Sequence, residues 1–262
     1  MSRGLTWRAT LLLLISVLLV IAAFLVEPVS QDPAYHAFID RRTAFSVPNF
    51  VNVFSNLPFA VVGLAGIVFV FRAGSAVLHH LRVAWLMFFC GVLLTAIGSA
   101  CYHWQPNNET LVWDRLAMTI GFMSFFAVIV GEYLSRSLGQ VLLWPLLLVG
   151  AASVFYWANT EANGQGDLRA YALVQFLPML LIPLIALLYR TRSDLGRPIA
   201  WMIVFYAAAK LVEFLDVQIY AAGGVVSGHS LKHVFASLAP ASLLYGLLQR
   251  RYHAPRPQHS TE

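Results

Sequence analysis

VAWLMFFCGVLLTAIGSACY, residues 83–102, is the stretch that decides the fold. It carries no charged side chain over twenty positions, the length an α-helix needs to cross a hydrocarbon core about 30 Å thick. His103 follows at once, and a polar turn, Gln105 to Asn108, leads into a second apolar run over 111–134. Outward from this pair the pattern repeats. Apolar runs of spanning length lie at 7–26, 52–71, 140–158, 170–189, 199–220 and 230–248. The chain is 59% apolar and 11% charged, with a mean hydropathy of +0.71, against about 25% charged for soluble domains. The sequence therefore predicts an all-α membrane protein with eight spans. Residues 1–30 form an N-terminal anchor, 31–250 one membrane domain, and 251–262 a short, disordered cytoplasmic tail. The first run has a basic start but no small-residue cleavage pattern after it, so it reads as a retained anchor rather than a signal peptide.

Lys and Arg set the orientation. Eleven fall on one side: Arg3, Arg8, Arg72, Arg82, Arg136, Arg190, Arg192, Arg197, Arg250, Arg251 and Arg256. Five fall on the other: Arg41, Arg42, Arg115, Arg169 and Lys232; Lys210 lies within a span. The positive-inside rule then places both termini in the cytoplasm. The basic residues are dispersed, so the net charge of +5 marks no nucleic-acid surface. The two cysteines, Cys90 and Cys101, have neither metal nor redox spacing.

This topology brings distant polar groups to one level. The span over 83–102 runs outward and ends at His103, and the next begins outside with Asp114 in its first turns. The last begins outside with His229 and His233. Ser99 lies one turn deeper than His103. His229 and His233, four apart, share a helix face. With His103 they make three imidazoles, the ligand set of a catalytic zinc site that keeps its fourth position for water. Asp114 can hold or deprotonate that water, and the Ser99 hydroxyl can donate to a developing oxyanion. Blander roles compete. Histidines and serines also hydrogen-bond between spans, an acid in a first helical turn is favoured by the dipole, and Gly98-Ser99-Ala100 has the small residues of a helix contact. In the span over 199–220, Lys210, Glu213 and Asp216 share a face directed into the bundle. Lys210 and Glu213 can pair. Asp216 can accept the second N–H of a metal-bound histidine, or pair with Arg115 or Lys232. Asn52, Ser55 and Asn56 read as interhelical hydrogen-bonding groups. His79 and His80 fall on the cytoplasmic side, and His36, His253 and His259 read as solvated loop or tail residues.

Three separated motifs, Gly98-Ser-Ala-Cys-Tyr-His103 with Asp114, Ser227-Gly-His229-Ser-Leu-Lys-His233, and Asn49-Phe-Val-Asn52-Val-Phe-Ser55-Asn56-Leu-Pro-Phe, together resemble the alkaline ceramidases. These belong to a superfamily of membrane hydrolases that also contains the progestin and adiponectin receptors. The resemblance covers about residues 40–250. It implies a seven-helix core with the first span as an extra helix, and His103, His229 and His233 as Zn2+ ligands. It also implies Asp114 on the zinc-bound water and Ser99 on the substrate carbonyl. Eukaryotic members carry an acidic calcium-binding stretch before the first core helix. Here Tyr35, Phe38 and Asn49 stand where acids are expected, leaving Asp40 alone, so calcium is not expected. The expectation is a zinc-dependent amidohydrolase acting on a ceramide-like membrane lipid on the non-cytoplasmic side. The alternatives are a lipid-ester hydrolase with the same site, and a receptor-like or structural protein held together by zinc.

Overall fold

The computed structural model describes residues 6–74, 78–190 and 193–253. Among these residues it is helical with no strand. The helices are α1 (Trp7–Leu25), α2 (Phe50–Phe54), α3 (Leu57–Arg72), α4 (Arg82–Trp104), α5 (Asn108–Tyr133), α6 (Arg136–Ala162), α7 (Arg169–Leu188), α8 (Gly196–Phe214), α9 (Asp216–Gly223) and α10 (Gly228–His253). Seven helices are long and apolar enough to cross a membrane when α2 and α3 count as one; an eighth span exists if the bent pair α8 and α9 is also counted as one. This marks a multi-pass membrane protein. Arg3, Arg192, Arg256 and His259, with the tail beyond residue 253, lie outside the described residues.

Helices α3 to α7 pack each against the next, and α10 packs against both α8 and α3. Helix α5 is the most deeply buried of the spanning helices, and α1 lies on the outside against α7. Consecutive helices α7 and α8 form no substantial backbone contact. Side chains of both helices instead line a shared cavity. Small residues bring helices close where the site requires it. A Cβ added at Gly98 on α4 would lie 2.7 Å from the Trp113 carbonyl oxygen of α5, so only glycine lets the two backbones meet beside Ser99 and Asp114.

The expected span over 199–220 is interrupted. Helix α8 stops at Phe214, and α9 leaves at 70°. Helix α8 runs beside α10 from Arg250 to Lys232. Asp194 beside its start takes Arg250 Nε at 3.0 Å, and Glu213 near its end takes Lys232 Nζ at 2.9 Å. At the bend, Asp216 Oδ1 accepts the backbone N–H of His229 at 2.7 Å. That bond draws the first turn of α10 against the break, where Gly228 touches the Val212 carbonyl and the Asp216 backbone. The opposite end of the bundle is locked by Glu132 on α5, which takes His79 Nδ1 and Arg250 Nη1 at 2.9 Å each.

Candidate metal centre

The C-terminal turn of α4 delivers His103, and the first two turns of α10 deliver His229 and His233. His103 Nε2 lies 3.0 Å from His233 Nε2 and 3.1 Å from His229 Nε2. A tetrahedral ion with Zn–N bonds of about 2.0–2.1 Å separates its ligand nitrogens by roughly 3.3 Å. The three imidazoles therefore converge close to the spacing that one ion imposes. They are the one group of three or more potential metal-ligating side chains found among the described residues, and they can hold a metal ion.

Hydrogen bonding around the His233 ring fits that use. Ser55 donates its single hydroxyl proton to the Asn52 carbonyl at 2.8 Å. Its oxygen is then free to accept from His233 Nδ1–H at 2.7 Å. This sets the His233 tautomer, with a bare lone pair on Nε2 facing the other two histidines, as a metal ligand requires. The carbonyl of His103, at the end of α4, is capped by Asn49 Nδ2 at 2.9 Å. Asn52 Oδ1 accepts from Ser230 Oγ at 2.6 Å, tying α2 to α10 between the two ligands. The Phe38 ring packs against both His103 and His229, its centroid 4.7 Å from that of the His103 ring and 5.0 Å from that of the His229 ring.

Ser55 and Phe38 contact the histidines although neither belongs to the expected site. Ser55 and Asn52 make the interhelical hydrogen bonds expected of them, to His233 and Ser230, but a histidine as the partner of Ser55 was not expected. The available signal was its position one turn into an apolar span at the depth of the histidines. Phe38 lies in a loop, where periodicity carries no information. Asp216 differs from its expected place. Its carboxylate holds the main chain of His229 rather than a histidine ring, because the break in α8 turns it toward the exposed N–H groups at the start of α10. The expected Lys210–Glu213 pair is present at 2.8 Å, and Lys232 joins the same carboxylate. His36 is not free in solvent: its Nδ1 contacts the Tyr102 hydroxyl and its Nε2 the Asn108 side-chain oxygen, each at 3.0 Å. In the loop before α2, Asp40 is buried and held by Arg42 Nε at 2.8 Å. That hydrogen bond keeps its carboxyl below the usual carboxylate range.

Ser99 and Asp114 are buried and line the wall of one large cavity, together with His233 and Lys232. The cavity has a volume of about 620 Å³ and runs into the apolar interior between α5, α7, α8 and α10. Its deeper wall is Phe88, Val92, Phe125, Ile182 and Leu243. Pro178 and Pro183 of α7 and Pro240 of α10 also border it. Comparison of the chain with protein-family models and with curated proteins gives no match.

Proposed function

We propose that this protein is an integral-membrane zinc hydrolase that cleaves the acyl amide of a membrane lipid, in the manner its resemblance to the alkaline ceramidases implies. One observation carries the reading. His233 Nε2 and His229 Nε2 lie 3.0 and 3.1 Å from His103 Nε2, and His233 of this group lines a cavity that also holds Ser99 and Asp114, with hydrocarbon side chains beyond. Zinc suits three nitrogen ligands with a fourth position open, and when bound there it would act as a Lewis acid toward water and a carbonyl.

The chain's own residues supply the rest. Helix α4 aims Ser99 and His103 from one face, since residues four apart stack along it. Ser99 donates a hydrogen bond to the carbonyl oxygen as negative charge develops there. Asp114, on the adjoining turn of α5, takes the proton from the attacking water and returns it to the leaving amine. Phe38 packs against the rings of His103 and His229. The apolar cavity receives the acyl chain, and its volume lies within the roughly 300–1,000 Å³ typical of ligand sites. The weakly packed side between α7 and α8 lets a lipid enter from the bilayer without crossing water. In this reading α8 and α9 count as one span of eight, α1 is an extra N-terminal span, both termini are cytoplasmic, and the site faces the non-cytoplasmic side.

The test is release of fatty acid from N-acyl lipids by the purified protein, followed by mass spectrometry, with matched acyl esters alongside. Cleavage of the amide by the wild type and its loss in Asp114→Ala, with metal retained, supports the proposal. Cleavage of esters alone reassigns the protein as a lipid esterase. No cleavage of either, with metal bound, moves the site to a structural role.

A further inference from the structure

The charges lining the cavity are unbalanced. Arg115, Lys210 and Lys232 face it with only Asp114 and Glu213 to oppose them. Glu213 is shared, with Lys210 Nζ at 2.8 Å and Lys232 Nζ at 2.9 Å, so one carboxylate serves two ammonium groups. Arg115 is buried, with its guanidinium carbon 4.0 Å from the centroid of the Trp157 ring. Its Nη2 is taken by Gln31, and its Nη1 has no hydrogen-bond partner. A positive charge left over at membrane depth is costly, and such charges mark the place where a charged group of the substrate is received. Position matters as much as sign. Lys232 Nζ lies 3.3 Å from His229 Nε2, so the excess charge sits beside the metal ligands rather than out at the rim.

We infer that the lipid processed here carries an anionic head group, a carboxylate or a phosphate close to its acyl linkage, received by the ammonium groups of Lys210 and Lys232. This rests on the hydrolase reading and narrows its substrate class. A ceramide head group offers only neutral hydroxyls and would leave the extra cation uncompensated. An acyl amino acid, whose carboxylate lies two bonds from the amide nitrogen, would satisfy it, as would a phosphate-bearing acyl amine. Charge-assisted hydrogen bonds are about twice as strong as neutral ones, which supplies the discrimination.

The test uses the purified full chain and three substrates sharing one acyl chain: an acylglycine, an acyl phosphoethanolamine and a neutral acyl ethanolamide. The expected result is a kcat/KM at least about tenfold higher for one of the anionic pair than for the neutral amide. Which of the two leads identifies the anion. Lys210→Met, which leaves the Lys232–Glu213 pair neutral, should lower kcat/KM far more for the anionic substrate than for the neutral amide and so remove most of that advantage. Equal kcat/KM on all three overturns the head-group inference and leaves the hydrolase standing. If none is cleaved, the hydrolase reading fails, and binding then decides the head group. Tighter equilibrium binding of acylglycine than of its methyl ester, lost in Lys210→Met, supports an anion site. Equal binding of acid and ester refutes it.

Discussion

Ser55→Ala removes one oxygen that does not touch the metal position, yet it should weaken metal binding strongly. In the wild type, Ser55 spends its proton on the Asn52 carbonyl and accepts from His233 Nδ1–H at 2.7 Å. Without it, Nδ1–H is left without a partner in a side chain only 5% exposed. A buried donor left unsatisfied costs about 1–3 kcal/mol. The alternative is for His233 to move its proton to Nε2, which removes the lone pair that a ligand needs. Loss of a partner that orients a metal-bound histidine commonly costs about 10–100-fold in affinity, equivalent to roughly 1.4–2.7 kcal/mol. A competitive chelator titration of the purified protein reads this directly, with Ser55→Thr as the control that keeps the hydroxyl. The reasoning predicts a weaker Kd for Ser55→Ala by about one to two orders of magnitude, and near-wild-type affinity for Ser55→Thr. Equal affinity in all three proteins would refute the assigned tautomer.

Three other outcomes follow from the same structure. Gly98→Val should force α4 and α5 apart at Trp113, lowering the thermal midpoint and costing activity as Ser99 and Asp114 separate; overpacking of this kind costs about 1–3 kcal/mol, and an unchanged midpoint contradicts the close approach. Asp216→Ala should leave the His229 backbone N–H unsatisfied and loosen the start of α10, seen as faster amide exchange over 228–233; unchanged exchange shows that Asp216 does not hold that turn. Asp167, in the loop before α7, is held down to about 2 by its hydrogen bonds to Arg169. Because its folded value lies below the unfolded 3.8, its contribution is present above that value and fades as pH falls toward 2. The stability difference between wild type and Asp167→Asn should therefore be constant above about pH 5 and shrink below pH 4; a gap that widens in acid has the wrong sign.

The histidine site was legible because two simple patterns agree. Four-residue spacing puts Ser99 with His103 and His229 with His233. The alternation of apolar runs then fixes which ends of those helices share a level. Counting spans suffices for that, without knowledge of side-chain contacts. The break after Phe214 was not legible. The run Lys210 to Tyr220 has neither proline nor glycine and keeps a helical pattern, and the bend coincides with a contact from Asp216 to His229, thirteen residues on. A tertiary contact of that kind leaves no local signal. The partner of Ser55 was hidden for a related reason. A serine in a span is most often a packing residue, and only the approach of α10 to α2 shows that this one faces a histidine. Lys232 was expected as an outer cation or as a partner of Asp216, and it pairs with Glu213 instead. Its contact with His229 depends on where Glu213 falls on α8, which the sequence sets only to within a turn.

The measurement that bears most directly on the central claim is the metal content and coordination of the purified protein, by elemental analysis and X-ray absorption, beside His103→Ala and His229→Ala. The account predicts about one zinc per chain in the wild type, bound by three imidazoles and one oxygen at the roughly 2.0–2.1 Å typical of such ligands, and little or none in either variant. A wild type that binds no metal under zinc-replete conditions, or metal content unchanged when His229 is removed, would contradict it.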